Sequence, residues 1–383
     1  AGSAGAIVAF SDYARNFASN NLIVTPNGTE KIGGVNASAF ANVNGQALTL
    51  VYVDATKGWI NVQNAEDTEQ GTVPAFIAAT GGTVTTVCTN FKVHTFTGPG
   101  TFCVSNAGNA AGSDTVSYMV IAGGASGGKT DRVGGGGAGG FRESKSPLCT
   151  YSASPLAATG GLSVTGAIPV TVGAGGASQT SNSQKGNDGS NSIFSSITSI
   201  GGGAGGGSGT FPGSNLNGND GGSGGGGGGS CNTDSNPFNG GTGGTGNTPP
   251  VSPPQGNNGG RGNHEPGIWA AGGGGGGAGA AGQAVIERPS PGPGASAGDG
   301  GAGVTTSINA TPTARAGGGG GVGAGTADNN GGAGPGGGGA GNASGVGGSG
   351  TANTGGGGGG GSAPSPGSGA GGSGIVIIRY RFQ

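Results

Sequence analysis

Charge is scarce in this sequence: Asp, Glu, Lys and Arg make up 8% of its 383 residues, where a typical soluble chain carries roughly 25%. The fourteen Lys and Arg are scattered singly and the net charge is -2. They form no basic track, which excludes a nucleic-acid partner. The shortage also argues against ordinary disorder, which needs abundant charge to keep a chain solvated. Histidine is rarer still, with His94 and His264 alone, and none of the four cysteines belongs to a C-x-x-C pair. That leaves no ordinary zinc site, and no cofactor is expected. No apolar run approaches the ~18 residues of a membrane span, so no membrane insertion is expected. The apolar segment 6–10 lacks the basic flank of a signal peptide. With no initiator Met ahead of it, the chain reads as processed or as the downstream part of something longer.

Catalytic constellations are also missing. Carboxylates are single except in Glu66-Asp67-Thr68-Glu69, which reads as a charged loop. His94 alternates with Lys92 and reads as part of a solvated strand face, and the adjacent pair His264-Glu265 reads as a polar loop. No residue presents itself as a base or a nucleophile, so the chain is not expected to be an enzyme. Cys88 and Cys103 flank a strand pair and are the candidate disulfide; free buried thiols are the alternative.

Glycine is what the sequence has in excess: 104 residues, of which 12 fall in 1–100 and 72 in 201–383. The uneven spread places a boundary near Thr80-Gly81-Gly82, giving a first segment of 1–80 and a glycine-rich domain of 81–383. In the first segment, β-branched runs predict short strands at 21–25, 46–53 and 59–62, punctuated by Pro26-Asn27-Gly28 and Lys57-Gly58. So small a unit buries little core alone, which favours an oligomer whose neighbouring chains cover its strands. In the second segment, strands are expected at 83–87, 92–96, 101–104, 115–121, 162–165 and 168–172. The closing run 374–382 (GIVIIRYRF) reads as the strongest strand of all. A continuous apolar strand placed after so much glycine needs a partner already built. Strand 115–121 is the chosen partner, closing one β-sandwich across the glycine insert, with a framework of 83–175 and 374–383.

Between these strands lie glycine runs at 134–137, 201–203 with 205–207, 224–229, 272–277, 317–321, 336–339 and 355–361. A flexible linker is the simplest reading. Linkers, however, are not usually divided into runs of similar length and followed by a buried-type strand. The ordered alternative is a bundle of polyglycine II helices within 134–361. Such a helix has about three residues per turn and no internal hydrogen bonds, so its backbone groups pair only with neighbouring helices. A Cβ turned toward a neighbour holds the backbones apart, so glycine is required there and a period of three appears where one face is free. The stretch Gly240-Gly241-Thr242-Gly243-Gly244-Thr245-Gly246 shows that period. The expected fold is thus all-β with little or no α-helix: a short-stranded N-terminal segment, then a β-sandwich framework enclosing polyglycine II helices.

One chemical motif is formally present. Residues 123–130 (GGASGGKT) fit the P-loop pattern G-x-x-x-x-G-K-[ST] after a strand. The mechanism also needs a helix beginning at the Lys-Thr, and Gly134–Gly137 follow too soon to hold one. The connectors between glycine runs are better candidates. They carry Phe211, Phe238, and in 245–271 Arg261, His264 and Trp269. Aromatic and Arg residues on a rigidly presented loop suit recognition of a glycan or protein surface; apolar capping of the bundle is the alternative.

These residues carry a resemblance. Lys92–Val104 (KVHTFTGPGTFCV), the strand into glycine at 116–124, and Gly134–Arg142 resemble the glycine-rich domain of bacteriophage virion proteins. Ile168–Gly176 (IPVTVGAGG), Ser192-Ile193-Phe194 ahead of Gly201, and the ending 374–382 are similar in the same way. Residues 21–62, notably Leu50-Val51-Tyr52-Val53 with Gly58-Trp59, are similar to fibre segments that precede such domains. The resemblance implies a tail fibre or similar virion-surface appendage, a homo-oligomer with a trimer favoured. Such a protein meets other virion proteins and a host cell-surface glycan or protein. It implies no catalytic residues. A purely architectural capsid decoration, or a secreted extracellular filament subunit without a receptor, is the second expectation. Ice binding by a Thr-bearing polyglycine face is a remote third, since only 240–246 offers such a face.

Overall fold

The computed structural model describes residues 2–62, 72–209, 215–230, 240–263, 270–286, 295–324 and 330–383. Among them there is no α-helix. The chain divides into two compact units, one of residues 1–77 with 106–114, the other of 78–105 with 115–382.

The first unit holds β1 (Ile7–Ser11), β2 (Leu22–Val24), β3 (Ala39–Ala41), β4 (Ala47–Asp54) and β5 (Gly58–Asn61). β4 lies between β1 and β5, antiparallel to both, and β2 pairs with β3. Ile32, Leu48 and Leu50 are buried, but Ile7, Tyr13, Ile23, Val43 and Val62 are exposed. The small core foreseen from the composition is the one observed.

The second unit contains β6 (Ile77–Thr80, whose first residue belongs to the first unit), β7 (Thr83–Val87), β8 (Phe91–Phe96), β9 (Gly100–Ala107), β10 (Thr115–Ile121) and β11 (Phe141–Lys145). It continues with β12 (Ala157–Thr159), β13 (Leu162–Ser163), β14 (Gly166–Thr171), β15 (Ser192–Phe194) and β16 (Ile197–Ser199). The last strands are β17 (Val304–Thr306), β18 (Thr313–Arg315) and β19 (Ile375–Arg381). One sheet runs β12-β11-β10-β19-β8-β7, with β13 also on β10; a second runs β16-β15-β14-β9-β6. β19 pairs with β10, from Ser117↔Arg379 to Ile121↔Ile375, which is the partnership expected from the sequence. Its other edge pairs with β8, so it fills a central slot.

Both faces of that slot are covered, which is why the strand reads as a continuous apolar run. On one face Ile375 and Ile377 pack with Met119, Ile121, Val93 and Phe141 against Val304, Ile308 and the alanines Ala138, Ala278 and Ala316. On the other, Tyr380 meets Phe102 and Tyr118 meets Phe194 of the second sheet, each with ring centroids 6.3 Å apart, and Phe102 and Phe194 lie 5.9 Å from one another. This is the interior of the sandwich.

His94 belongs to that interior, not to a solvated face as its alternation with Lys92 suggests. It is fully buried. It stacks on Tyr380 at 5.5 Å and meets Phe102 edge-on at 5.0 Å. Its Nδ1 lies 2.7 Å from the Gly81 carbonyl, and its Nε2 3.1 Å from the Tyr380 hydroxyl. The carbonyl only accepts, so the proton sits on Nδ1 and Tyr380 donates to Nε2. Burial holds the pKa of His94 below its ordinary value.

The candidate disulfide is not formed: Cys88 and Cys103 are exposed free thiols. Cys88 follows β7 in the first sheet and Cys103 lies in β9 of the second. Strands adjacent in sequence are here in different sheets, which separates the two thiols.

The glycine runs are ordered. In 133–140, every third amide donates to the same neighbouring segment. Gly134, Gly137 and Gly140 donate to Gly206, Gly203 and Ile200, at 2.8–2.9 Å. Gly135 and Ala138 donate to Gly273 and Gly276, and Gly136 and Gly139 to Gly358 and Gly355. Its carbonyls accept in the same rhythm. Gly128, Ala125 and Ala122 donate to Gly134, Gly137 and Gly140; Gly226 and Ser223 to Gly135 and Ala138; Val322 and Gly319 to Val133 and Gly136. Three neighbours as acceptor partners and three as donors, six in all, is the hexagonal packing of threefold helices. Ordering glycine costs roughly 0.5–1 kcal/mol per residue beyond alanine. Each interior residue, however, gains both a donor and an acceptor bond, worth about 0.5–1.5 kcal/mol net apiece.

The bundle is larger than 134–361. Helices at 122–129 and 367–374 extend it on either side; within the range, 173–178, whose first residues read as framework, and 184–190, 215–222 and 256–263, which read as connectors, are helices too, the last three with about one glycine per turn. The sheet passes directly into the bundle: the Ala122 amide donates to the Gly140 carbonyl where the β10–β11 pairing ends.

Candidate recognition end of the glycine bundle

Helix direction decides which connectors share an end. Helix 133–140 enters β11 at Phe141, so residue 140 marks the sheet end and residue 133 the remote end. The antiparallel bonds Gly134 to Gly206 and Gly140 to Ile200 carry Gly207 to the remote end. Helix 215–222 returns, because Asn219 and Gly222 donate to Ala204 and Gly201. Bonds of the same kind bring Ser230, Gly240, Asn263, Ala270, Ile286, Ala295, Ala324 and Asn330 to the remote end. Backbone bridges tie those flanks together there: Gly209 with Ser230, Ala271 with Gly323, Ile286 with Ser296. By contrast 247–255 turns at the sheet end, where the Gln255 carbonyl accepts from the Phe141 amide.

The described residues on either side of 210–214, 231–239, 264–269, 287–294 and 325–329 therefore all lie on the remote face of the bundle. Phe211, Phe238, His264 and Trp269 lie in them, outside the described residues, as does Cys231. Phe211, Phe238 and Trp269 are the sequence's only aromatic residues between 200 and 374. The sequence suggests loops at rod ends; the described residues that flank these three connectors share one end of the bundle.

Arg261 is placed differently. It lies along helix 256–263, half-buried, with its carbonyl accepting from the Val285 amide. Gly256, Gly259 and Gly262 supply the missed signal, a period of three in a stretch without a long glycine run.

The P-loop match is part of the bundle and its amides are engaged. Gly124, Ala125, Ser126, Gly127, Gly128 and Lys129 donate to Gly372, Gly137, Asn187, Gly369, Gly134 and Gln184. A phosphate cradle needs those N–H groups free and a helix after them; this segment has neither.

The family-model comparison bears on the same stretch. A glycine-rich domain model matches residues 95–381. The chain belongs to the glycine-rich domain family. The match begins within β8 and closes on the last residue of β19, so the glycine-rich domain includes the central strands as well as the helices. Comparison with curated proteins gave no match.

Side chains finish the bundle's flank where the glycine-rich domain runs out of helices. Asn217 and Asp220 accept from the amides of Thr242 and Thr245 at 3.0 and 2.6 Å, and Asn258 accepts from Gly246 at 2.9 Å. Thr242 and Thr245 are exposed, while Gly241 and Gly244, each directly before one of them, are buried. That is the expected period of three on a free face, with carboxamide and carboxylate oxygens standing in for a neighbour's carbonyls.

Beside β17 and β18 lies a buried polar cluster. Glu143 accepts from the Thr306 hydroxyl at 2.7 Å and the Ser154 amide at 3.0 Å. Arg379 donates to the carbonyls of Ile308 and Thr150 and lies between the rings of Phe91 and Tyr151, 4.6 and 5.2 Å from their centroids. Burial, with the nearby Glu143 charge, pushes the Tyr151 pKa far up. Glu143 and the Arg379 Nη groups are bonded to the framework, while Tyr151 Oη and Arg379 Nε are buried without a partner among the described residues; the cluster is enclosed and clamps the β17–β18 hairpin rather than offering a surface.

Proposed function

We propose that the protein is a structural component of a virion surface, a tail fibre or similar appendage, and that the remote end of its glycine bundle attaches to the host. The supporting observation is that the described residues flanking five connectors, three of which carry Phe211, Phe238 and Trp269 in the sequence, share the end of the bundle away from the sheets. A lattice whose backbone is bonded on all sides fixes the residues that flank those connectors. Aromatic anchors held this way suit a glycan or protein surface.

In this reading the first unit mounts the chain on the particle and assembles copies, a trimer being favoured. Ile7 at 66% exposure, Tyr13 at 99% and Val62 at 54% support burial against another chain. Mass photometry of the purified protein checks the copy number; a monomer at micromolar concentration overturns the oligomer.

The attachment test uses particles carrying Trp269→Ala, Phe211→Ala or the two together. Adsorption to host cells is expected to fall at least about tenfold, as for loss of one aromatic hot spot. Unchanged adsorption with particles of normal assembly removes the adhesive role and leaves the architectural one, a capsid decoration or filament subunit.

A further inference from the structure

The interior helix 201–207 sends its amides in three directions. Two meet whole helices: Gly202 and Gly205 donate to Gly123 and Ser126, and Gly203 and Gly206 to Ser223 and Gly226. In the third direction Gly207 donates to the Asn215 carbonyl, but at the other two positions side chains take over, with Gly201 donating to Asn191 Oδ1 at 2.9 Å and Ala204 to Asp188 Oδ1 at 2.7 Å. Helices 184–190 and 215–222 flank this lane on adjacent carbonyls, Gly186 donating to Gly205 and Asn219 to Ala204. Their side chains meet over it. Lys185 Nζ donates to Asn219 Oδ1 at 2.9 Å. Asn219 Nδ2 donates to the two carboxylate oxygens of Asp188, at 3.0 and 3.2 Å. An amine, a carboxamide and a carboxylate thus stand in one connected chain, each on a backbone pinned to the lattice.

We propose that Lys185 and Asn219 are joined by an intramolecular isopeptide bond, with Asp188 carrying the proton. The unprotonated Lys185 amine attacks Asn219 Cγ, and an Nζ–Cγ bond forms. Asp188 takes a proton from Nζ and delivers it to Nδ2. The Cγ–Nδ2 bond then breaks, ammonia leaves, and Asp188 is again a carboxylate. The step needs no oxidant and no second substrate. Holding both groups in contact replaces a bimolecular encounter, and a carboxylate bonded to the leaving nitrogen is placed for proton transfer. Lys185 and Asn219 are half-buried and Asp188 is exposed, so water reaches the site and the reaction is slow. It happens once per chain, and since the attack uses the free amine, an alkaline medium favours it. It closes covalently the lane where the lattice lacks a helix.

Lys129 is an internal control. Its Nζ donates to Asn182 Oδ1 at 2.6 Å, but among the described residues no carboxylate accepts from Asn182.

The test is the intact mass of the full chain after incubation at mildly alkaline pH, followed by proteolysis. The wild type is expected to lose one ammonia and to yield a branched peptide joining Lys185 and Asn219. Lys185→Arg is expected to lack both. So is Asp188→Asn, which keeps an oxygen for the Ala204 amide. Succinimide formation at Asn-Gly sequences also releases ammonia but does not depend on Lys185, so the branched peptide decides. Its absence from the folded wild type, its persistence in Asp188→Asn, or a branch joining Lys129 and Asn182 in its place each overturns the proposal.

Discussion

At the scale of single residues, a glycine matters here by what its missing Cβ would touch. A Cβ on Gly275 would fall inside the Gly136 carbonyl oxygen, whereas one on Gly98 meets nothing within 4 Å. Gly275→Ala is expected to destabilise the second unit by about 1–3 kcal/mol, the usual range for overpacking a close-packed interior. Gly98→Ala should stay within about 0.5 kcal/mol. Denaturant titration of the two variants side by side measures the difference. His94 gives a pH prediction. Its folded pKa is depressed by burial, so folded and unfolded chains bind protons equally above the unfolded value of about 6.5. Below that value the unfolded chain binds the extra proton, and stability falls as pH falls toward the folded pKa. The thermal midpoint should therefore drop on acidification below about pH 6.5, and His94→Gln should flatten that drop. The burial of His94 was not legible in the sequence because its hydrogen-bond partner Tyr380 is 286 residues away.

At the scale of elements, β19 could be read in advance because both its faces are covered and its composition says so. Its position between β10 and β8 makes it indispensable. Deleting 375–382 is expected to abolish the cooperative unfolding transition of the second unit, since two buried strands lose their pairing edges at once; calorimetry of the truncated chain checks this. The helices with one glycine per turn were harder to see. Their signal is a period of three shared with Asn and Asp, and in isolation that composition reads as a polar loop. Asn217 and Asp220 show what the polar residues add, each accepting from an amide that faces no helix. Removing both by Asn217→Ala and Asp220→Ala should speed amide exchange at Thr242 and Thr245. The cost should be about 0.5–1.5 kcal/mol per bond at most, since water can reach the vacated amides.

At the scale of the whole bundle, position in the lattice determines how much glycine a helix carries. Helices 133–140, 272–277 and 355–361 are bonded on every side, and they hold the long glycine runs. Perimeter helices keep glycine only on the inward face and place Ala174, Ala177, Ala340, Val346 and Ser349 outward. The rule is not strict, for Ala125, Ala138 and Ala204 are fully buried. The run 336–339 departs from it too: Gly336 and Gly337 have φ of 104° and 98° and make a turn. Amide exchange should divide accordingly, slow through 134–139 and 272–277 and fast at the outward amides of Ala177, Ala340 and Ser349. Uniformly fast exchange through the interior runs would mean a linker and no lattice. The sequence by itself determined the all-β class, the pairing of the last strand with β10 and the need for glycine helices, because apolar runs and missing Cβ atoms are local facts. Tertiary structure alone decided which helices are interior, that His94 is buried, that Cys88 and Cys103 are apart, and which connectors share an end. Each of those depends on the direction and neighbours of segments far apart in the chain, and a glycine repeat carries no information about either.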